Sequence, residues 1–126
     1  MTPDITKTPA WSRLHASCGR LAQTHLRDLF ANDTHRFQQF SRQTDGLLLD
    51  FSKQRLDQDV LNHLVALAEA ADVAGWRERL FAGEKINVSE GRAVLHPALR
   101  HLAETPFPAV SSDVMPHVRK VRQQMA

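Results

Sequence analysis

The chain has 126 residues, 42% apolar and 24% charged, and 16 Lys and Arg against 14 Asp and Glu leave a net charge of +2. This composition is typical of a globular protein and excludes an intrinsically disordered chain, and the length suits one domain. No apolar run approaches the roughly 18 residues of a membrane span, so we expect no membrane partner and no secretory signal. So small a positive surplus also gives no reason to expect a nucleic-acid partner.

The first predicted helix begins at Thr8 and Pro9, after an opening segment over 1–7 that is polar and predicted to be loose. Thr can cap the exposed amides of a helix, and Pro is tolerated at its first position. Four apolar residues at helical spacing predict a buried stripe: Trp11, Leu14, Cys18 and Leu21. We expect Cys18, the one cysteine, to act as a small buried hydrophobe, with no disulfide and in a reducing, cytoplasmic compartment.

A β-hairpin is predicted over residues 38–52, after a short helical turn at 26–30. Asp45 and Gly46 separate two apolar stretches, and glycine accepts the positive φ that a tight hairpin turn requires. Phe37 and Phe40 stand beside arginines, as base-stacking residues do in single-strand binders. Without regular alternation of aromatic and basic residues, core packing is the favoured interpretation for both.

The clearest helical pattern begins near Asp57. One broad apolar face is predicted to be buried: Val60, Leu61, Leu64, Val65, Leu67, Ala68 and Ala71. Asp72 is predicted to cap a further helix, which carries Trp76 and which Gly83 closes. We expect Leu64 and Trp76 to belong to the core.

The remaining third of the chain alternates between loops and short helices. Residues 83–87 are a polar loop, 93–99 have helical propensity broken or restarted at Pro97, and 105–108 form an extended connector. Ser112 or Asp113 is expected to cap a last helix. Its predicted apolar seam consists of Val114, Val118, Val121 and Met125.

No complete active site emerges from the residue pattern. Seven histidines show no metal-ligand spacing: His15, His25, His35, His63, His96, His101 and His117. The five glycines form no phosphate-binding loop. A basic cluster consists of His117, Arg119, Lys120 and Arg122. A solvated helix face near a C-terminus is favoured for this cluster over an anion-binding site.

Residues 83–100 resemble a segment of the glucose-6-phosphate isomerase (phosphoglucose isomerase) family. The matching stretches are Gly-Glu-Lys-Ile-Asn at 83–87, Ser-Glu-Gly-Arg-Ala-Val-Leu-His at 89–96 and Ala-Leu-Arg at 98–100. The chain departs from the family pattern at Ser89, where Thr is usual, and at Pro97, where a small apolar residue is common. Flanking pieces match in order, from Thr8-Pro9-Ala10-Trp11 through residues 50–55 to Asp113-Val114-Met115-Pro116.

The resemblance implies that residues 1–126 are the N-terminal helical segment of a larger enzyme. The family's fold is a three-layer α/β sugar-isomerase type. This segment would be its helical N-terminal portion, and by itself it is expected to be mainly α with a small β-hairpin. The family interconverts glucose 6-phosphate and fructose 6-phosphate through an enediol, in glycolysis and gluconeogenesis. It acts as a cytoplasmic homodimer on a sugar phosphate, without cofactor or metal.

The family's catalytic residues are expected to lie beyond Ala126, so no catalytic, cofactor-binding or metal residue is assigned here. Four residues of the motif that invite such a role stay unassigned: Lys85, Arg92, His96 and Arg100. The isolated segment is therefore predicted to be inactive. The alternative is a free-standing helical interaction module that keeps the N-terminal fold without catalysis.

A structural role is predicted for the motif itself. Ser89 is expected to cap a helix, while Glu90 and Arg92 form charge-assisted bonds. Lys85 and Asn87 are expected to shape the preceding loop. Three apolar residues are expected to dock against the remaining domains: Val94, Leu95 and Leu99.

Overall fold

The computed structural model describes residues 4–107 and 112–125, which fall into two compact units, Met1–Ala71 and Asp72–Ala126. The first unit contains a 3-10 turn at Ile5–Lys7, then α1 (Pro9–Ala22), α2 (Leu26–Ala31), α3 (Arg36–Gln39), β1 (Ser41–Thr44), β2 (Leu47–Asp50) and α4 (Gln58–Ala70). The second contains α5 (Val73–Phe81), α6 (His96–Leu99) and α7 (Met115–Met125). The predicted class, mainly α with one β-hairpin, is confirmed. In the described ranges no helix is both long and apolar enough to cross a membrane.

Helix α1 begins as its sequence predicts, because Thr8 Oγ1 accepts a hydrogen bond from the Trp11 amide at 3.2 Å. The segment before it is more ordered than predicted. Asp4 Oδ1 accepts from the Thr6 amide at 3.1 Å and caps the 3-10 turn Ile5–Lys7. The segment predicted to be loose therefore contains a 3-10 turn, whose carboxylate cap the sequence analysis overlooked.

The buried face of α1 differs from the predicted stripe. Ala10, Ser17 and Leu21 are buried, whereas Cys18 and Trp11 are exposed, so the prediction for these two was wrong. The Ser17 hydroxyl lies 3.0 Å from Nδ1 of half-buried His63 on α4. A hydrogen-bonded serine can be buried at little cost, which lets the helix turn its serine rather than its cysteine inward.

The core of the first unit is small, and α4 contributes less to it than its apolar sequence predicts. Four residues form the buried cluster: Leu21, Phe40, Leu56 and Val60. Asp57 caps α4 as predicted, because its Oδ1 accepts from the Val60 amide at 2.9 Å. Leu64 and Val65, however, are 41% and 50% exposed, so the broad buried face was wrong there.

The predicted hairpin is confirmed, with shorter strands over 41–44 and 47–50. Its register pairs Ser41 with Asp50 and Thr44 with Leu47, and the turn residues Asp45 and Gly46 have φ of 45° and 78°. Residues 38–40 instead end the short helix α3. That helical turn buries Phe40, as predicted, and leaves Phe37 45% exposed, where core packing was wrongly expected.

Helix α5 follows its predicted signals. Asp72 Oδ1 accepts from the Gly75 amide at 3.2 Å, and Gly83 adopts a φ of 72° just after the helix. The half-buried Trp76 ring is covered by the guanidinium of Arg79, whose central carbon lies 4.4 Å from the ring centroid. Trp76 thus packs on its own helix and is not fully buried.

The core of the second unit forms where α6 meets α7, and consists of Ala98, Phe107, Met115 and Val118. Helix α6 covers only 96–99, so the helix expected over 93–99 was too long, and Pro97 lies in its first turn. Asp113 rather than Ser112 caps α7, since its Oδ1 accepts from the Met115 amide at 3.0 Å. Pro108, in the predicted connector, lies outside the described residues.

The predicted seam of α7 is only partly buried, because Val121 is 38% and Met125 79% exposed. The basic cluster is not a purely solvated face either. Arg122 donates to the carbonyl oxygens of Leu99 and His101, the latter at 3.0 Å. Arg119 lies near the carbonyl oxygens of Ala103 and Thr105. Both arginines therefore contact carbonyl groups at the end of α6 or in the segment that follows it.

Candidate functional site

The 83–100 motif surrounds a depression of about 660 Å³ on the second unit. Its lining comes from the segment between Lys85 and His96, together with Ser112 and Val114. The depression is open to solvent, and both polar and apolar side chains line it.

A tight turn shapes the wall of the depression. Asn87 and Arg92 exchange two backbone hydrogen bonds of 3.0 and 3.2 Å, and Gly91 makes the reversal with a φ of 62°. The Asn87 side-chain oxygen accepts from Ser89 Oγ at 2.8 Å and from the Glu90 amide at 3.3 Å. The prediction that Ser89 caps a helix was therefore wrong. Ser89 belongs to a turn organised by the Asn87 side chain, an arrangement typical of asparagine.

Glu90 and Arg92 form the predicted charge-assisted contact inside this turn. Glu90 Oε2 accepts from Arg92 Nε at 3.1 Å, from Arg92 Nη2, and from Asn87 Nδ2 at 2.9 Å. The two charged side chains are 51% and 70% exposed, so the pair contributes little to stability and mainly orients the turn.

The structure brings three of the four unassigned polar residues together. Lys85, Arg92 and His96 line the 660 Å³ depression, whereas Arg100 lines a neighbouring one of about 410 Å³ that His96 shares. Among the described residues of the larger depression, Glu90 supplies the one carboxylate. Over the described ranges no three His, Cys, Asp or Glu side chains are grouped to hold a metal ion.

The apolar residues of the motif lie just before α6 and at its last position. Leu95 is half-buried against the core of the unit, Val94 is half-buried, and Leu99 is 55% exposed. Leu95 and Leu99 also line a third depression of about 580 Å³, together with residues of α7. This side of the second unit offers an apolar surface beside the polar turn.

Arg36 is an interior polar centre that the sequence analysis overlooked. It is 2% exposed, and its guanidinium donates to the carbonyl oxygens of Ser52, Gln54 and Leu56 at 2.8 to 2.9 Å. The rings of Phe30 and Phe40 flank it, 5.5 and 4.8 Å from its central carbon. The signal that could have revealed it is the loop at 52–56, whose carbonyl groups lie between a strand and a helix and need donors.

Two aspartates of the first unit are held in their charged form. The Arg20 guanidinium donates to Asp57 Oδ2 at 2.6 Å, and this bond, with the Val60 amide, lowers the pKa of Asp57 below its usual value. Hydrogen bonds from the hydroxyl and amide of Ser52 lower the pKa of Asp50. Both carboxylates hold backbone in place and are remote in sequence from the 83–100 motif.

Comparison with known proteins gives consistent matches. The family model described as Phosphoglucose isomerase matches residues 50–126. A glucose-6-phosphate isomerase of Pseudoalteromonas translucida is 57% identical over 98 residues, covering 78% of this chain and 18% of that protein. Those of Deinococcus deserti and Methylococcus capsulatus are 44% and 41% identical, covering 100% and 98% of this chain. The chain spans only 18% to 23% of the length of these three relatives.

Proposed function

The chain belongs to the phosphoglucose isomerase family, and we propose that it is the N-terminal part of an enzyme that interconverts glucose 6-phosphate and fructose 6-phosphate. The observation that carries this proposal is the family match over residues 50–126, which takes in the whole second unit and its turn between Asn87 and Arg92. The relatives named above bear the name glucose-6-phosphate isomerase.

The chemistry proposed for the longer enzyme is acid–base catalysis. One group opens the sugar ring, and a carboxylate base then moves a proton between C2 and C1 through an enediol. Such a reaction needs a positioned base and stabilisation of the developing charge. We place it in a cytoplasmic homodimer of the three-layer α/β type, acting in glycolysis and gluconeogenesis.

We propose a structural part for the present chain, with the catalytic groups elsewhere in the polypeptide. The contacts of Glu90 support this proposal, because its carboxylate, the one among the described residues of the depression, accepts hydrogen bonds from Arg92 and Asn87 within its own turn. The apolar residues beside the turn, Val94, Leu95 and Leu99, would then pack against the rest of the enzyme. On this proposal the 126-residue chain alone has no isomerase activity.

A chimera tests the proposal. The segment of the Deinococcus deserti relative that aligns with this chain over all of its 126 residues is replaced by this chain. Conversion of fructose 6-phosphate to glucose 6-phosphate is then measured with a coupled dehydrogenase, beside the unaltered relative and the isolated chain. We expect the chimera to be active and the chain alone to be inactive.

Each outcome has a distinct meaning. Turnover by the purified chain, free of host enzyme, would place a catalytic centre within these residues and overturn the structural role. A chimera that folds and forms the relative's oligomer without isomerising the sugar would favour the alternative, a non-catalytic interaction module. An Arg92→Ala chimera that loses turnover with unchanged stability and oligomeric state would give the turn a catalytic part.

A further inference from the structure

The hairpin carries three consecutive leucines that the first unit leaves open to solvent. Leu47, Leu48 and Leu49 on β2 are 72%, 57% and 63% exposed. Single exposed leucines are ordinary on protein surfaces, but a contiguous apolar patch marks a contact surface. A two-stranded hairpin is also marginal in water unless a further layer packs on it.

The two faces of the hairpin are chemically different. Side chains alternate along a strand, so Leu47 and Leu49 share a face with Phe51, and Leu48 lies on the other. Phe51 packs on the core of the unit, its ring centroid 6.0 Å from that of Phe40. The first face is therefore an apolar stripe that begins in the core and runs outward to the hairpin tip.

The opposite face offers no such stripe. The strand register pairs Leu48 with Gln43, and Ser41 and Asp50 complete the same face. Leu48 is thus an isolated apolar side chain among polar neighbours. It provides a matched comparison for Leu49, since the two leucines have nearly equal exposure on one strand.

The charged neighbour of the stripe, Arg42, lies at its inner part, beside Leu49 and Phe51. Arg42, which pairs with Leu49, donates to the carbonyl oxygens of Gln39 and Ser41 at 2.9 and 2.6 Å. Its guanidinium also lies over the Phe51 ring, 5.8 Å from the centroid. At the outer end Leu47 pairs with the uncharged Thr44. This part of the stripe therefore presents leucine beside a neutral side chain, and the surface that covers it should be apolar.

We propose that the apolar stripe of Leu47 and Leu49 docks on an apolar surface in the remainder of the longer isomerase polypeptide, an inference that rests on the proposed function. The matched stretch is only 18% to 23% of each of the three relatives, so the proposed enzyme has ample chain to supply that surface. A second copy held by this stripe alone is a poorer occupant. Two leucines fall far short of the roughly 800 Å² per partner that a stable protein interface buries, whereas a contact within one polypeptide bears no association cost.

Photo-crosslinking in the active chimera identifies the occupant. A benzophenone-bearing phenylalanine analogue replaces Leu47 in one sample and Leu48 in the other, and cross-linked peptides are mapped by mass spectrometry after irradiation. We expect the probe at position 47 to cross-link to a peptide of the same polypeptide that lies outside the 126-residue segment. The sample with the probe at position 48 should not give that product. A product joining two copies at position 47, no product, or equal yields from both positions would overturn the inference.

A second measurement uses natural side chains. Leu49→Ser should lower the urea midpoint of the chimera, and Leu48→Ser should leave it near that of the parent. Equal shifts would show that the stripe is not the docking face. Isomerase activity of the parent chimera is measured first, so that failure of the proposed function is seen separately from failure of this docking.

Discussion

Arg36 links three parts of the first unit through a single side chain. It extends from α3, passes between two phenylalanine rings and satisfies three carbonyl groups of the loop that leads into α4. The planar guanidinium suits this task, because its donors diverge in a fixed fork that lysine lacks. The loop at 52–56 therefore depends on one buried cation whose hydrogen-bond acceptors are all neutral.

Replacing Arg36 should be costly. Arg36→Met leaves buried carbonyl oxygens without donors, and we expect a loss of about 2–3 kcal/mol in the free energy of unfolding. Arg36→Lys should recover only part of this loss. Urea denaturation followed by circular dichroism measures it. Arg55→Met is the control, since exposed Arg55 donates to the Ala22 carbonyl at 3.1 Å. Equal losses of stability for the Arg36 and Arg55 variants would show that the buried hydrogen bonds of Arg36 are unimportant.

Asp57 makes the first unit sensitive to acid. Its pKa is lowered in the folded state, chiefly by the hydrogen bond from Arg20. The stability that depends on this carboxylate is therefore complete above its unfolded pKa of about 3.9 and is lost as the pH falls through the lower, folded value.

We expect Asp57→Asn, which keeps a capping oxygen, to flatten the decline of the urea midpoint below about pH 4. Asp59→Asn is the matched control, since Asp59 lies 3.9 Å from the same arginine and is 75% exposed. It should keep the parent's acid dependence. Identical pH profiles for the parent and Asp57→Asn would contradict the assignment.

Among the elements, the hairpin depends on its turn. Gly46 has a φ of 78°, where a Cβ is strained, so Gly46→Ala should cost about 1 kcal/mol. Gly19 lies within α1, and a Cβ there would meet nothing within 4 Å. Gly19→Ala should therefore stabilise the chain by about 0.5–1 kcal/mol. Urea unfolding compares the two variants, and a shift of the same sign in both would refute the conformational argument.

Element boundaries with local chemical signals were predictable from the sequence, and the buried faces were less so. Thr8, Asp57 and Asp72 cap helices as predicted, because a cap depends on residues a few positions apart. Leu21 of the predicted stripe on α1 is buried, but Ser17 is buried where Cys18 was expected, and its hydroxyl contacts His63 on another helix. Leu64 remains exposed for a similar reason: periodicity shows that a face is apolar, not that a partner covers it.

At the scale of the whole molecule, the motif located the candidate site but not its shape. Lys85, Arg92 and His96 do line one depression, whereas the expected helix after Ser89 is a tight turn. Helix propensity over 93–99 and a capping residue at Ser89 could not reveal that Asn87 pairs with Arg92 across Gly91. Arg36 was overlooked because the loop at 52–56 shows that carbonyl groups need donors but not which distant side chain supplies them.

The amount of exposed apolar surface predicts how the isolated chain behaves in solution. On the second unit Phe81, Leu99, Leu102 and Met125 are 56%, 55%, 85% and 79% exposed. A net charge of +2 provides little repulsion between copies. We expect the purified chain to associate reversibly as its concentration rises, measured by sedimentation velocity, and to associate more strongly in sulfate, which strengthens apolar contacts.

The double variant Leu102→Ser/Met125→Ser should shift this association to higher concentration. The control Lys120→Ser, which changes an exposed polar residue of α7, should not. Association that sodium chloride weakens would indicate charge pairing instead, because salt screens exposed charges. A monomer at every concentration would show that these side chains do not form an adhesive surface. Their exposure would then give no support to packing of the second unit against the rest of the proposed enzyme.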